Sequence, residues 1–310
     1  MKIAITGANG FVGRGLVQAL IEKGHRVKWL LRRPNPDPDP ERIESVVGSL
    51  GDDQALAELC AGADAVCHLV AVIRERGPAN FHNVNVVGTQ RVLAAASSAG
   101  VDRFIHLSAL GADPDSPYAY LRSKGLGEDA VKSSGLSFTI LRASVIYGPG
   151  DEFINLLGAV ALALPAVPIV GSGANLFQPI SRRNVCEIVC RCLEGEEHHR
   201  RTYELGGPDK LRYDEIVRAI AAEMGLRRLF VRLPIGIMSP AARLMNNFLP
   251  HPPVTTGQLD LLGADNVAAD NAAESVFALD LDRLVDHLGY VRSTTLPAAL
   301  GAVLGLRRLR

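Results

Sequence analysis

Lys2-Ile3-Ala4-Ile5-Thr6-Gly7-Ala8-Asn9-Gly10-Phe11-Val12-Gly13 decides the fold. A β-branched apolar run gives way to three spaced glycines, after which Leu16, Leu20 and Ile21 recur at helical spacing. That is a strand, a tight turn and a helix in the order a dinucleotide pyrophosphate requires. Gly7 permits the turn, Gly10 lets backbone approach phosphate oxygens, and Gly13 lets the helix lie close on the strand. The helix start adds unpaired amides and a partial positive charge. Gly7, Asn9, Gly10, Phe11, Val12 and Gly13 are therefore the expected phosphate cradle, a purely structural glycine turn being the alternative.

Outward from this turn, short β-branched runs alternate with longer helical stretches, which predicts a parallel sheet with helices on both faces. The expected strands are Lys2–Thr6, Arg26–Leu31, Ile43–Val47, Ala65–Val70, Arg103–Leu107, Phe138–Leu141 and Thr202–Leu205. The fold class is α/β, a Rossmann-type doubly wound sheet over residues 1–150, with a smaller substrate-binding region over 151–310. Residues 178–206 are expected to return to the first sheet. In the second region Ile216, Val217, Ile220 and Ala221 mark a helix over Tyr213–Met224. Pro34, Pro36, Pro38 and Pro40 remove amide donors and predict an extended surface loop.

Lys plus Arg and Asp plus Glu both number 33, so the chain lacks the basic excess that a nucleic-acid partner demands. Five cysteines, too few for a disulfide scaffold in 310 residues, are expected as thiols. Cys186, Cys190 and Cys192 do not have zinc-knuckle spacing and share a helix with Val185, Ile188 and Val189, so burial rather than metal binding is expected. With no leader before Lys2 and no long apolar span, Ile154 to Val170 being interrupted by Pro165 and Pro168, the sequence predicts a cytoplasmic protein. Leu306-Arg307-Arg308-Leu309-Arg310 closes an apolar stretch in a manner that suits peripheral contact with the inner face of a membrane. A packed helix with a solvated tail is the plainer expectation.

The end of the second strand chooses between cofactors. An acidic residue there accepts from a free ribose 2′-hydroxyl, whereas Leu31-Arg32-Arg33 offers two guanidinium groups to a 2′-phosphate. NADP(H) is thus favoured over NAD(H), unless both arginines are merely solvated charges.

Further phrases resemble the extended or atypical branch of the short-chain dehydrogenase/reductase superfamily, of the NAD-dependent epimerase/dehydratase type, over most of the chain. They are the glycine turn, Gly48-Ser49-Leu50, His68-Leu69-Val70-Ala71, Asn85-Val86-Val87-Gly88-Thr89, His106-Leu107-Ser108-Ala109 and Tyr120-Leu121-Arg122-Ser123-Lys124. The resemblance implies that Ser49 and Leu50 flank the adenine, although Ser49 stands where many members carry Asp. It also implies that Leu69, Val70 and Ala71 pass the nicotinamide ribose, that Asn85 on the helix that follows binds the cofactor, and that Ser108, Tyr120 and Lys124 are catalytic. Later phrases, including Gln178-Pro179-Ile180, Tyr203-Glu204-Leu205-Gly206-Gly207-Pro208 and Thr256-Gly257-Gln258-Leu259, resemble bacterial relatives of the dehydrogenase-like accessory subunit of respiratory complex I.

The chemistry fits the residue types. Carbonyl reduction needs a proton donor, and an ammonium beside a tyrosine favours its phenolate. Tyr120 and Lys124, four apart, share a helix face, so both are expected at the cofactor, and the lysine can also reach a nicotinamide ribose. Ser108, at the carboxyl end of its strand, can bond a substrate oxygen. Tyr118 pairs by spacing only with Arg122, and His68 and His106 sit in apolar runs as expected core histidines. Two functions remain open at this point: an NADP(H)-dependent oxidoreductase or epimerase/dehydratase acting on a small molecule, and an NADP(H)-holding structural, sensing or assembly protein of a membrane complex. An aromatic content of only 5% offers little stacking surface for a sugar.

Overall fold

The computed structural model describes residues 1–34, 39 and 41–307. Most of the proline segment and the terminal Arg308, Leu309 and Arg310 lie outside the described residues. The chain divides into two compact units, the first comprising Met1–Ala143, Arg182–Leu205 and Asn271–Phe277, and the second Ser144–Ser181, Gly206–Asp270 and Ala278–Arg310.

The first unit is a seven-stranded parallel sheet. Its strands are β1 (Lys2–Thr6), β2 (Arg26–Leu31), β3 (Ile43–Val47), β4 (Ala65–His68), β5 (Arg103–Ala109), β6 (Ser137–Ala143) and the strand Arg201–Leu205. From one edge to the other the order is Arg201–Leu205, β6, β5, β4, β1, β2, β3. The order reverses between β1 and β4, which opens a crevice at their carboxyl ends. The first four helices are α1 (Phe11–Glu22), α2 (Asp53–Cys60), α3 (Gly88–Ser98) and α4 (Ala119–Lys132). Leu56, Leu59, Val92, Leu93 and Val131 pack with Val66, Phe104, Phe138 and Ile140 to form the core beneath α2, α3 and α4. Buried Leu16, Val17 and Leu20 give α1 its apolar stripe, and the helix closes at Lys23-Gly24, where Gly24 takes φ +82°.

The second unit has α5 (Phe153–Ala163) and α7 (Tyr213–Glu223) around a core that includes Tyr147, Ile154, Val167, Ile169, Ile216 and Ile220. Between them in sequence, α6 (Arg182–Glu194) belongs to the first unit. Three two-stranded pairs frame the second unit: Ile146–Tyr147 with Ile180–Ser181, Ala166–Val170 with Leu229–Leu233, and Leu176–Phe177 with Leu211–Arg212. No described helix is long and apolar enough to cross a membrane.

Several boundaries differ from the sequence expectation. β4 stops at His68 rather than Val70: Leu69 N–H still bonds the Thr6 carbonyl of β1 at 3.1 Å, but by Val72 the backbone is held by the Asn85 side chain. β5 and β6 run on to Ala109 and Ala143, paired through Ser108 with Arg142 and Ala109 with Ala143. Residues 144–150 fall in the second unit, where Ile180 N–H bonds the Val145 carbonyl at 2.9 Å. Asn271–Phe277 joins the first unit, with Asn271 bridging Glu204 and the Phe277 ring packed 4.9 Å from His198 and 5.2 Å from Tyr203.

Candidate active site

The glycine turn is shaped by close approach. Gly7 takes φ +83°, and a Cβ there would press on Val70 and the Leu69 backbone at 3.1 to 3.2 Å. A Cβ on Gly13 would lie 2.2 Å from the Gly7 carbonyl oxygen, which no side chain tolerates. Gly10 leads into α1, its N–H bonded to that same oxygen at 2.9 Å. No side chain caps α1 and no acid occupies its first turn. Uncapped amides, positive-end dipole and side-chain-free backbone fit a pyrophosphate. Asn9 is exposed, its carbonyl accepting from Arg14 Nε at 3.0 Å, while Phe11 and Val12 are half-buried. Arg182 lies over the Phe11 ring at 5.1 Å, adding a cation to the turn that sequence reasoning missed.

Arg32 and Arg33 follow β2 directly, exposed and in no ion pair among the described residues. Beyond β3, Ser49 Oγ accepts from Gly51 N–H at 3.2 Å, and Leu50 packs so tightly on Gly88 that a Cβ there would meet it at 2.7 Å.

Past β4, Leu69 and Val70 are half-buried and Ala71 is exposed. Asn85 sits in a π-helical turn, His82–Val87, and is 1% exposed. Its Oδ1 accepts from Val72 N–H at 2.9 Å, and its Nδ2 donates to Val72 O at 3.2 Å and Ser123 Oγ at 2.9 Å. The amide thus fixes the strand-ending loop to α4, which satisfies groups that burial would otherwise penalise.

A row of side chains crosses the sheet just below its carboxyl edge. Thr6 pairs in register with His68, and His68 with His106. Thr6 Oγ1 lies 2.6 Å from His68 Nδ1, Thr89 Oγ1 lies 3.1 Å from His68 Nε2, and the two imidazole rings stack at 5.5 Å. Burial, with help from Lys124, holds His68 down to about 3, so it is neutral. His106 is held well below its usual value by burial first and then by Lys124 and His68. His68 is satisfied as the sequence predicts. His106 is not, because its buried Nδ1 has no hydrogen-bond partner among the described residues.

The helix α4 delivers the candidate proton-transfer pair. Lys124 is 2% exposed, with Nζ donating to Leu107 O at 2.8 Å and standing 3.5 Å from His106 Nε2. Burial lowers it to about 8 against the opposing pull of Glu128. Tyr120, one turn earlier and half-buried, packs edge-on against Phe81 at 6.0 Å, and burial pushes its phenol up to about 12. The Tyr118 ring shows no bond to Arg122, whose guanidinium binds the Ser116 carbonyl at 2.7 Å.

Ser108 is placed differently from the sequence expectation. Its hydroxyl donates to Glu128 Oε1 at 2.7 Å. Glu128 has no exposed surface and is gripped by Arg142, Nε at 2.9 Å to Oε1 and Nη2 at 2.7 Å to Oε2. A buried carboxylate must be satisfied, and Ser108 supplies one of its donors. The sequence signal for this cluster was available: Glu128 follows Lys124 by four residues, and Arg142 interrupts an apolar strand opposite Ser108. All five cysteines are free and buried, with burial pushing Cys186, Cys190 and Cys192 up to about 12.

Comparison with known proteins agrees with this fold. The model of the NAD dependent epimerase/dehydratase family matches residues 3–206. The ceramide reductase of Caulobacter vibrioides is 36% identical, over 77% of this chain and 76% of that one. The mitochondrial NADH dehydrogenase (ubiquinone) 1 alpha subcomplex subunit 9 of Arabidopsis thaliana is 29% identical, over 91% of this chain and 74% of that one. The structure of MoeE5 in complex with UDP-glucose and NAD superposes with a TM-score of 0.74 at 22% identity, over 94% of this chain and 97% of that one, which marks a common fold.

Proposed function

The chain belongs to the NAD dependent epimerase/dehydratase family, and on that footing we propose that it is an NADP(H)-dependent oxidoreductase acting on the carbonyl or hydroxyl of a small molecule. The observation that carries this reading is Lys124: a lysine almost wholly buried at the carboxyl edge of the sheet, one helical turn from Tyr120, is costly to fold, and among the described residues no acid lies within ion-pair distance of its ammonium, Glu128 acting only from farther away. The 36% identical ceramide reductase supports reduction over epimerisation or dehydration.

In this reading the cradle from Gly7 to Gly13 holds the pyrophosphate, and Arg32 and Arg33 hold the 2′-phosphate. Ser49 and Leu50 border the adenine, and Leu69, Val70 and Ala71, fixed by Asn85, border the nicotinamide. A nicotinamide held there would supply the hydride for the carbon that bears the oxygen. A phenol near 12 keeps its proton at neutral pH, so Tyr120 rests as the acid that protonates that oxygen. Lys124 stabilises the phenolate as it forms. Ser108 acts through Glu128 and Arg142, holding α4 against β5 and β6, and is a positioning residue.

A second reading, a nucleotide-holding assembly protein, draws on the 29% identical NADH dehydrogenase subunit. One experiment separates them: isolate the protein, identify any retained nucleotide, and follow nicotinamide absorbance while adding a panel of aliphatic ketones and ketoacyl compounds. Turnover supports the oxidoreductase. Retained nucleotide with no turnover across the panel supports the assembly protein.

A further inference from the structure

In the second unit the helix α8 (Ile235–Phe248) is apolar on two faces. Ile235, Met238, Ala242 and Met245 pack on the unit's core. Ile237, Leu244 and Phe248, spaced to share the opposite side, face solvent with 65%, 61% and 77% of their surface exposed. The helix Leu296–Val303 repeats the arrangement. Ala299 and Ala302 pack on Ala159 of α5, while Leu296, Leu300 and Leu304, four apart, are exposed. The two helices end together: His251 N–H bonds the Gly305 carbonyl at 2.9 Å, and a Cβ on Gly305 would lie 2.7 Å from Leu249. Phe248 and Leu304 each stand one residue before this junction, Leu249 with Gly305, so two helices with exposed apolar faces meet there, more than scattered single residues and in need of an occupant.

Charge identifies that occupant. Although the chain as a whole is neutral, no Asp or Glu occurs from residue 224 to 259 or from 287 to 310. Arg243 flanks Leu244 and Arg307 follows Leu306; both are exposed, as is Arg227, and none of the three enters an ion pair among the described residues. Exposed aliphatic and phenyl side chains in segments whose only acidic or basic residues other than histidine are basic match the acyl and anionic headgroup layers of a bilayer surface. A protein partner of ordinary polarity would leave those guanidinium groups without acids from this chain and demand a matching acidic rim. We propose that this face lies on an anionic lipid bilayer, with Ile237, Leu244, Phe248 and the leucines of Leu296–Val303 inserted below the headgroups and Arg227, Arg243 and Arg307 on the phosphates. The inference stands on this surface alone, independent of the chemistry proposed for the first unit. No described helix spans a membrane, so the contact is peripheral.

Flotation of the full chain with phosphatidylcholine vesicles, with and without phosphatidylglycerol, tests it. The wild type is expected to float with the anionic vesicles and to release with added salt. The exposed triple substitution Ile237→Ser, Leu244→Ser, Phe248→Ser is expected to cut recovery at least tenfold, roughly the loss of three inserted apolar anchors, with an unchanged melting temperature and unchanged NADPH affinity. Arg243→Glu with Arg307→Glu should abolish the preference for anionic vesicles. Equal recovery of wild type and triple variant, or failure of the wild type to float, overturns the proposal. A wild-type dimer that the triple variant converts to monomer, without vesicle binding, overturns it in favour of a second copy of the chain.

Discussion

The hydroxyl of Ser108 donates a 2.7 Å hydrogen bond to Oε1 of Glu128, a carboxylate with no exposed surface that Arg142 also grips. Ser108→Ala removes one donor and leaves the ion pair with Arg142 in place. The expected cost is about 1–3 kcal/mol of stability, the penalty for an undersatisfied buried oxygen. Turnover should fall by less than tenfold, with KM little changed. Urea unfolding and steady-state kinetics measure both. A loss of roughly a hundredfold or more in kcat with stability intact would place Ser108 on the substrate.

Gly13→Ala tests the phosphate cradle. Its methyl would have to enter space 2.2 Å from the Gly7 carbonyl, so the turn and α1 must separate. Overpacking of this kind costs about 1–3 kcal/mol, and the displaced amides should weaken NADPH at least tenfold in a nucleotide-fluorescence titration. Wild-type affinity in this variant would mean the turn does not hold the pyrophosphate.

How much of this was legible without coordinates follows the physics of each signal. The parallel sheet was legible because β-branched runs and helical stripes alternate, and β1, β2 and β3 have the expected bounds. The short strand pairs of the second unit were not, because two residues such as Ile146 and Tyr147 carry no period. Helical spacing aligned Tyr120 with Lys124, but it could not show that Ser108 turns to Glu128. That depends on which strand lies beside β5, a long-range pairing with Arg142. Nor could spacing reveal that Lys124 stands 3.5 Å from His106, since strand and helix face each other only in the folded sheet.

Arg32 and Arg33 carry the coenzyme preference in this account. Charge-assisted bonds to phosphate are worth about 1.5–3 kcal/mol each. Arg32→Ser with Arg33→Ser should therefore weaken NADPH by about two orders of magnitude or more and leave NADH within a factor of about three. Titration with both nucleotides decides the matter. Equal affinity of the wild type for the two removes the role assigned to the arginines.

Burial of Lys124 has a pH signature. The unfolded chain keeps this lysine protonated up to its ordinary 10.5, whereas the folded chain releases the proton near 8. Between those values the unfolded state holds more protons, so stability rises with pH, and below 8 the folded state bears the full penalty. Relative to Lys124→Met, the wild type should gain about 3 kcal/mol between pH 7 and the upper end of that window, each tenfold weakening of proton affinity on folding being worth about 1.4 kcal/mol. Urea unfolding of both proteins across this range gives the difference. A pH-independent difference would show that the ammonium is not desolvated.

The most direct test of the central claim, that Tyr120 is the proton donor on a cofactor-binding sheet, is kcat for Tyr120→Phe measured beside its NADPH affinity. Phenylalanine preserves the edge contact with Phe81 and deletes only the hydroxyl. Nucleotide affinity should stay within about twofold while turnover falls roughly 10²- to 10⁴-fold, the usual worth of general acid catalysis. Undiminished turnover in Tyr120→Phe would contradict the account.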